Sequence, residues 1–214
     1  MSLPSPKSLR IACILVLSCA ASVRAQDTAG TLWPMRPGNR WTAESESKGT
    51  KATLVMTVRS VRQDGAATEA ILDYTMGGTV VQTEVYRLDA TGLTRSKGGK
   101  EGADAIVPPF PVLRHPVTPG STWSWKGSLI LGGTTFQGVA DFKANPPETI
   151  ATPAGKFLAT RVRVDLTVLD GHGGQASFTN DYWFAPGVGL VQQVFRLGET
   201  TLSTSTVTGY QLEK

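Results

Sequence analysis

Only a few side chains of this sequence could carry out acid–base or metal chemistry, and they are far apart along the chain. The sequence has two histidines, His115 in a proline-rich stretch and His172 in the DGHGG segment at 170–174. Glycine-flanked polar residues are typical of a hairpin turn, whereas a zinc or hydrolytic centre at His172 would need ligands from distant strands. We therefore interpret His172 as a turn residue and predict no metal site.

Four carboxylates are the other candidates for catalysis. Asp141, Glu148, Asp165 and Asp181 could meet across neighbouring strands, as the two acids of a glycoside hydrolase do. Solvated strand positions and turn caps explain the same residues, and their spacing does not require a pair. The serine-nucleophile pattern G-x-S-x-G and the phosphate-loop pattern G-x-x-x-x-G-K-[ST] are both absent from the sequence. The sequence therefore predicts no catalytic residue and no cofactor.

Aromatic residues are the side chains for which we consider a binding role. The chain has five tryptophans, and four of them lie beside a turn or at the start of a strand. Such rings either fill the core inside a curved sheet or line an apolar cavity, where they could also stack on a carbohydrate. We favour the core, and the candidate cavity-lining residues are Trp41, Trp123, Trp125, Tyr182, Trp183 and Phe184.

The first 25 residues have the anatomy of an export signal. Lys7 and Arg10 precede an apolar run at 11–17, and the Val-Arg-Ala sequence at 23–25 predicts cleavage before Gln26. An alternative is that Cys19 is the lipid-attachment cysteine of a bacterial lipoprotein. We therefore expect a periplasmic or secreted protein, or one that is lipid-anchored through Cys19. We predict no transmembrane span in the mature chain, because no segment reaches the roughly 20 apolar residues that a span needs.

Removal of this signal changes the charge and the cysteine chemistry of the chain. Its three basic residues account for most of the formal net charge, which falls from +4 to +1 without them. Cys13 and Cys19 are the two cysteines of the sequence, so cleavage before Gln26 leaves no disulfide and no thiol. Positive and negative residues are then nearly balanced and form no block, which argues against a nucleic-acid partner.

From residue 37 onward the sequence predicts antiparallel β-strands and shows no helical period. The clearest strand is 161–169, where Val162, Val164, Leu166 and Val168 share one face and polar residues take the other. Residues 51–61 and 79–88 repeat this alternation, and glycine-rich turns follow at hairpin spacing. The segment NDYWFAPGVGLVQQ at 180–193 predicts a hairpin on which the rest packs. We predict an all-β fold, a curved antiparallel sheet that forms a half-barrel or a partly closed barrel.

The chain also contains two similar halves. PGNRW at 37–41 is echoed by PGSTW at 119–123, and YRLDATGL at 86–93 by YWFAPGVGL at 182–190. Repeats of this kind usually complete one core between them. We therefore predict a flexible N-terminus at 26–36 and a single β domain at 37–214, with halves at 37–97 and 117–214.

Two further segments have distinctive compositions. Residues 98–116 begin as a polar loop and continue as IVPPFPVLRHP, which we predict to be a proline-rich strap packed over an open edge or a cavity mouth. Residues 199–208 are rich in threonine and serine, which favours a solvent-facing edge strand.

Two turn motifs carry a resemblance to known proteins. P-A-G-x-F at 153–157 precedes a long strand, and W-[YF]-A-x-G-x-G-L follows at 183–190. The chain resembles a group of uncharacterised secreted bacterial β-proteins in these motifs. It also resembles them in the Gly-x-x-Trp entries at Gly38 and Gly120 and in the proline-rich middle segment. That group is similar in fold to the half-barrel of periplasmic lipoprotein carriers. The resemblance implies an apolar cavity under a curved sheet and conveys no catalytic residue.

These observations favour a non-enzymatic exported protein of the cell envelope. We expect it to bind a lipid or other hydrophobic ligand, or an envelope protein partner, in its half-barrel. The alternative is a structural or assembly module that pairs with another envelope protein through the Thr/Ser edge and an exposed sheet face. A glycan hydrolase is the third hypothesis.

Overall fold

Antiparallel strands make up most of residues 32–213, the part of the chain that the computed structural model describes. The alternating residues at 161–169 lie within a strand of 15 residues, Gly155–Leu169. Val162 and Val164 are buried, whereas Arg163 and Asp165 are not. The all-β prediction is confirmed. A short 3-10 helix spans Lys100–Gly102. The strands are β1 (Arg40–Ser47), β2 (Thr50–Asp64), β3 (Ala67–Met76), β4 (Thr79–Asp89), β5 (Gly92–Gly98), β6 (Asp104–Arg114), β7 (Thr122–Leu131), β8 (Thr134–Ala144), β9 (Glu148–Thr152), β10 (Gly155–Leu169), β11 (Gln175–Ala185), β12 (Gly189–Leu197) and β13 (Thr200–Gln211).

The sheet closes on itself. Each strand from β1 to β8 pairs with the next one, β8 pairs with β10, and β10 continues through β11, β12 and β13 back to β1. Twelve strands therefore form a closed antiparallel barrel, and β9 is an extra strand on the first residues of β10. Closure pairs the backbone groups that an open sheet would leave exposed at its edges.

The two halves predicted from the sequence both supply barrel strands. The first half, 37–97, holds β1 to β4 and nearly all of β5, the second half, 117–214, holds β7 to β13, and β6 lies in the segment 98–116 between them. Each half begins with a turn whose backbone hydrogen bonds tie it to another strand. In the first half, Gly38 N–H donates to the Val58 carbonyl and Val58 N–H donates to the Asn39 carbonyl. In the second half, Gly120 N–H donates to the Ala144 carbonyl and Ala144 N–H donates to the Ser121 carbonyl.

The proline-rich segment is a barrel strand, so the prediction of a strap over the sheet is wrong for 104–114. Strand β6 pairs with β5 near both of its ends but with β7 only at its start, because the prolines that follow have no N–H to donate. Indole groups of β7 close the remaining gap. Trp123 Nε1–H donates to the Pro111 carbonyl and Trp125 Nε1–H to the Pro108 carbonyl, each at 2.8 Å.

The N-terminal segment closes one end of the barrel. Leu32 and Trp33 are buried, and the Trp33 ring packs against Trp41, Tyr86 and Phe184 with centroid distances of 5.1–6.3 Å. The prediction of a flexible segment at 26–36 is therefore wrong for 32–35, because these side chains complete the core. The predicted export signal at 1–25, the cleavage before Gln26 and the lipidation of Cys19 lie outside the described residues.

The Thr/Ser-rich segment is not an edge strand. Strand β13 has β12 on one side and β1 on the other, with Ser205 opposite both Gln193 and Ser45. The edge-strand prediction for 199–208 is wrong because barrel closure supplies a second neighbour 160 residues away in the sequence.

The seam between β6 and β7 generates a prediction about glycine. A Cβ atom at Gly127 would press on the Val107 carbonyl oxygen and would lie 2.6 Å from the Trp125 ring and 2.8 Å from the Pro108 ring. We expect Gly127→Ala to lower the free energy of unfolding by about 1–3 kcal/mol, because the bridging indole must move. The measurement is equilibrium denaturation.

The matched control is Gly209→Ala on β13, where a Cβ would meet no atom within 4 Å. We expect it to change stability by less than about 1 kcal/mol. Equal losses in the two variants would contradict the role of close packing at the seam.

Candidate functional site

A cavity lies inside the barrel, between the closed end and the opposite set of turns. Packed rings fill the closed end, where Trp41 and Phe184 are fully buried. Toward the other end the side chains leave a volume of about 410 Å³. This second end is the mouth, formed by the turns that connect β1 to β2, β3 to β4, β7 to β8, β10 to β11 and β12 to β13.

The wall toward the mouth is largely apolar. A second hollow of about 520 Å³ reaches the turn residues Asp170 and Gly174. It shares Leu166, Phe178 and Phe195 with the first cavity, so the two hollows are neighbours inside the barrel. Its other apolar lining residues are Leu129, Leu131, Phe136, Val168 and Ala176. Serines 45, 203 and 205 form a hydroxyl-bearing part of the wall on the side of β1 and β13.

A buried carboxylate lies at the deep end of the cavity. Glu84 is 2% exposed, and both of its oxygens are fully used. Oε1 accepts hydrogen bonds from Gln82 Nε2 at 2.8 Å and Arg95 Nη1 at 2.6 Å, and Oε2 accepts from the hydroxyls of Tyr74 at 2.6 Å and Tyr86 at 2.5 Å. Because a carboxylate offers about four lone-pair positions, Glu84 has no capacity left for a further donor.

The second half of the chain places a neutral version of this cluster beside it. The alternation Glu84-x-Tyr86 on β4 corresponds to Asn180-x-Tyr182 on β11. Asn180 Nδ2–H donates to the Tyr182 hydroxyl at 2.8 Å, and Gln193 Nε2–H donates to Asn180 Oδ1 at 3.2 Å. The deep end of the cavity therefore combines one ion pair with one pair of amides. We call this group of side chains the polar floor, and it consists of Gln82, Glu84, Tyr86, Arg95, Asn180, Tyr182 and Gln193.

The polar floor contains hydrogen-bond donors that have no acceptor in the described part of the chain. Arginine has five N–H groups, and the buried Nε–H of Arg95 has no partner among residues 32–213. The Tyr182 oxygen accepts a bond from Asn180, but its own proton has no acceptor within the same residues. The Arg95 guanidinium also lies over the Phe110 ring at 5.9 Å. Donors without acceptors in a cavity are groups that a ligand can satisfy.

Burial and charge set the protonation states of the polar floor. Burial raises the pKa of Tyr74 and Tyr86 well above its usual value, and the adjacent Glu84 carboxylate raises it further. Burial also raises the pKa of Tyr182, although the Arg95 charge acts in the opposite direction. For Arg95, burial acts most strongly and disfavours the charged form, but the Glu84 charge and the neighbouring tyrosines together outweigh it, and the pKa is raised overall. The tyrosines are therefore neutral donors, and Arg95 is a cation.

The cavity includes one of the six aromatic residues predicted as its lining. Tyr182 borders it, whereas Trp41, Trp123, Trp125, Trp183 and Phe184 are not among its lining residues. Trp41 and Trp183 direct their N–H groups elsewhere, to the Val188 carbonyl at 2.6 Å and to Glu148 Oε1 at 2.7 Å. Trp123 and Trp125 close the β6–β7 seam, and Phe184 packs on Trp33.

The residues considered for catalysis lie outside this cavity. His172 is in the turn after β10, where its N–H donates to Asp170 Oδ1 at 2.8 Å. Asp165 is directly opposite Asp141 across β10 and β8, and it accepts a hydrogen bond from Thr179. Asp165 lies within β10, whereas His172 lies in the turn beyond the end of that strand at Leu169. Within residues 32–213, no group of three metal-ligating side chains could hold a metal ion.

Sequence reasoning missed most of the polar floor and the cavity serines. Glu84 and Arg95 look like ordinary solvated strand residues, because charged residues are rarely buried. The repeat was the usable signal. When Tyr86 is aligned with Tyr182, Glu84 falls at the position equivalent to Asn180, on the same inward face as the tyrosines. The serines at 203 and 205 were assigned to an edge strand.

Comparison with known proteins gives structural matches only. No protein-family model matches the chain, and no curated protein matches it. A candidate exported protein of Bacteroides fragilis with a YmcC-like fold shares 17% identity and a TM-score of 0.59, over 84% of this chain and 98% of its own. A candidate lipoprotein of Parabacteroides distasonis shares 15% identity and a TM-score of 0.60, over 87% and 100%. These similarities establish the fold.

The descriptions of both solved structures agree with the localisation predicted from the sequence, which is periplasmic or secreted with a lipid anchor as the alternative. The resemblance to secreted bacterial β-proteins, based on the two turn motifs, stays a prediction. Within the described residues, no helix has the length and apolar character needed to cross a membrane.

The raised tyrosine pKa values predict how the protein unfolds in alkali. A tyrosine that keeps its proton longer when folded stabilises the fold below pH about 10, and this contribution is lost as pH rises through the folded pKa. We expect stability to fall above pH about 10. In a spectrophotometric titration, Tyr74, Tyr86 and Tyr182, three of the four tyrosines in the sequence, should ionise only as the protein unfolds. Ionisation of all four before unfolding would contradict the burial of the polar floor.

Proposed function

We propose that this protein is a non-enzymatic exported protein of the cell envelope that binds a hydrophobic ligand inside its barrel. The observation that carries the proposal is the pair of neighbouring cavities inside the barrel, which measure about 410 and 520 Å³. Ligand sites are typically hollows of about 300–1,000 Å³ with mostly apolar walls and a few placed polar groups. The apolar mouth and the polar floor have this character.

Export is supported by the signal anatomy of residues 1–25 and agrees with the descriptions of the two solved structures. An envelope location also suits the function. A hydrophobic molecule that must cross an aqueous compartment needs an enclosed site, and a barrel with one closed end supplies it.

The polar floor supports binding rather than catalysis. Glu84 is saturated by four donors and is therefore a poor general base. The cavity serines have no histidine beside them to act as a base, because His115 and His172 are not among the lining residues. Glycan hydrolysis would have to use the Asp141 and Asp165 pair on the outer surface, and we assign that pair no role.

The assembly-module alternative has less support after barrel closure. It relied on a free Thr/Ser edge, and β13 is paired on both sides. Among the described strands, β9 is the one that ends the sheet order, so an envelope protein partner would dock there.

Native mass spectrometry of the protein purified from its own envelope tests ligand binding directly. We expect a fraction of the molecules to carry a noncovalent adduct, which organic extraction should release as a lipid-like compound. A protein that is consistently free of adducts would contradict the proposal.

A cavity-filling variant gives a second test. Ser203 points into the cavity opposite Phe195, so we expect the ring of Ser203→Trp to occupy the ligand volume with little loss of stability. Binding of the fluorescent probe N-phenylnaphthylamine should fall at least about tenfold, since an apolar probe loses most of its contact area.

The matched control is Thr204→Trp, which puts the same ring on the opposite face of β13. It should bind the probe as the unmodified protein does. Equal binding by both variants would show that the probe does not enter the barrel.

A further inference from the structure

We propose that the ligand is a single-chain amphiphile with a carboxylate head group, such as a long-chain fatty acid, and that it binds head first with the carboxylate on Arg95 and Tyr182. This inference rests on the proposed function and adds the ligand class and its orientation.

The direction of binding follows from the distribution of polar groups along the cavity. At the mouth the wall consists mainly of leucine, valine and phenylalanine side chains, including Leu129, Phe136 and Val168. At the deep end lie Glu84, Arg95, Asn180, Tyr182 and Gln193. An acyl chain satisfies the first region and cannot satisfy the second. A polar head group must therefore reach the floor while the chain extends toward the mouth.

The hydrogen-bond inventory indicates what the head group contains. Glu84 accepts four bonds and needs nothing further. Arg95 uses one N–H on Glu84, and its Nε–H has no acceptor among residues 32–213. The Tyr182 proton also lacks an acceptor within these residues. The unpaired donors of Arg95 and Tyr182 therefore call for acceptor oxygens in the head group.

Arginine favours a carboxylate over a neutral acceptor. Bonds from a guanidinium to a carboxylate are about twice as strong as neutral ones and are often bidentate. Arg95 is the single cation among the residues that line the cavity, and four donors already surround the negative charge of Glu84. The bound carboxylate therefore faces the positive side of the Arg95–Glu84 pair.

Competition between an acid and its ester tests the head group. Hexadecanoate and methyl hexadecanoate share one chain, and each should displace N-phenylnaphthylamine from the unmodified protein. We expect the acid to bind about tenfold more tightly or better, as one charge-assisted hydrogen bond provides. Equal affinities would overturn the carboxylate assignment and leave hydrophobic binding intact.

The double variant Glu84→Gln with Arg95→Gln tests whether the preference for the acid over the ester depends on the polar floor. It removes both charges together, so that no unpaired charge remains buried. We expect the ester to bind as before and the preference for the acid to disappear. The matched control, Asp64→Asn with Arg87→Gln, removes a surface ion pair of 2.6 Å and should keep the preference.

The single variant Tyr182→Phe gives a second test that remains valid if the double variant misfolds. It removes one donor from the floor without touching Glu84, and we expect a severalfold loss of affinity for the acid alone. Retention of the full preference in both floor variants would overturn the inference. If neither the acid, the ester nor the probe binds the unmodified protein, the proposed function itself is wrong.

Brominated fatty acids test the orientation. Trp33 borders the deep end of the cavity beside Tyr86, at a ring-centroid distance of 5.1 Å. Bromine next to the carboxylate should quench tryptophan fluorescence more than bromine at the methyl end, and Trp33→Phe should remove most of the difference. Stronger quenching by the methyl-end label would show that the chain enters first.

Discussion

A charged carboxylate inside a β-barrel is stable only when the surrounding chain supplies a donor for each of its lone pairs. Glu84 meets this condition through Gln82, Arg95 and two tyrosine hydroxyls, which come from three consecutive strands. These polar groups cannot be packed over with apolar side chains without losing their bonds. The interior is therefore divided into a closed end filled by packed rings and a polar floor with open volume above it.

Barrel closure keeps that volume enclosed, and closure depends on side chains at one place. Between β6 and β7 the prolines interrupt the backbone pairing, and the indoles of Trp123 and Trp125 hold the two strands together by donating to the Pro111 and Pro108 carbonyls. Gly127 and Gly138 leave room for the Trp125 ring. Trp123 and Trp125 are therefore structural residues, and the wall of the cavity carries tyrosine, arginine and serine side chains instead.

Local features of this fold could be predicted from the sequence, and long-range pairing could not. Alternation at 161–169 and the two PG-x-x-W entries correctly indicated strands and a repeated layout, because both signals lie within a few residues. The pairing of β13 with β1 joins residues at opposite ends of the chain, so the same segment looked like a free edge. Prolines at 108–111 argued against a central strand, and only the position of Trp123 and Trp125 shows how the strand is accommodated. The buried ion pair was missed because a lone glutamate in an alternating strand normally faces solvent.

A crystal structure of the protein isolated from its own envelope, without delipidation, tests the central claim most directly. The account predicts continuous elongated density inside the barrel, with its polar end within hydrogen-bonding distance of Arg95 and its chain against the stacked rings of Phe178 and Phe195 at the mouth. A cavity that holds only ordered water, or one that collapses so that Arg95 finds a second protein acceptor, would contradict it.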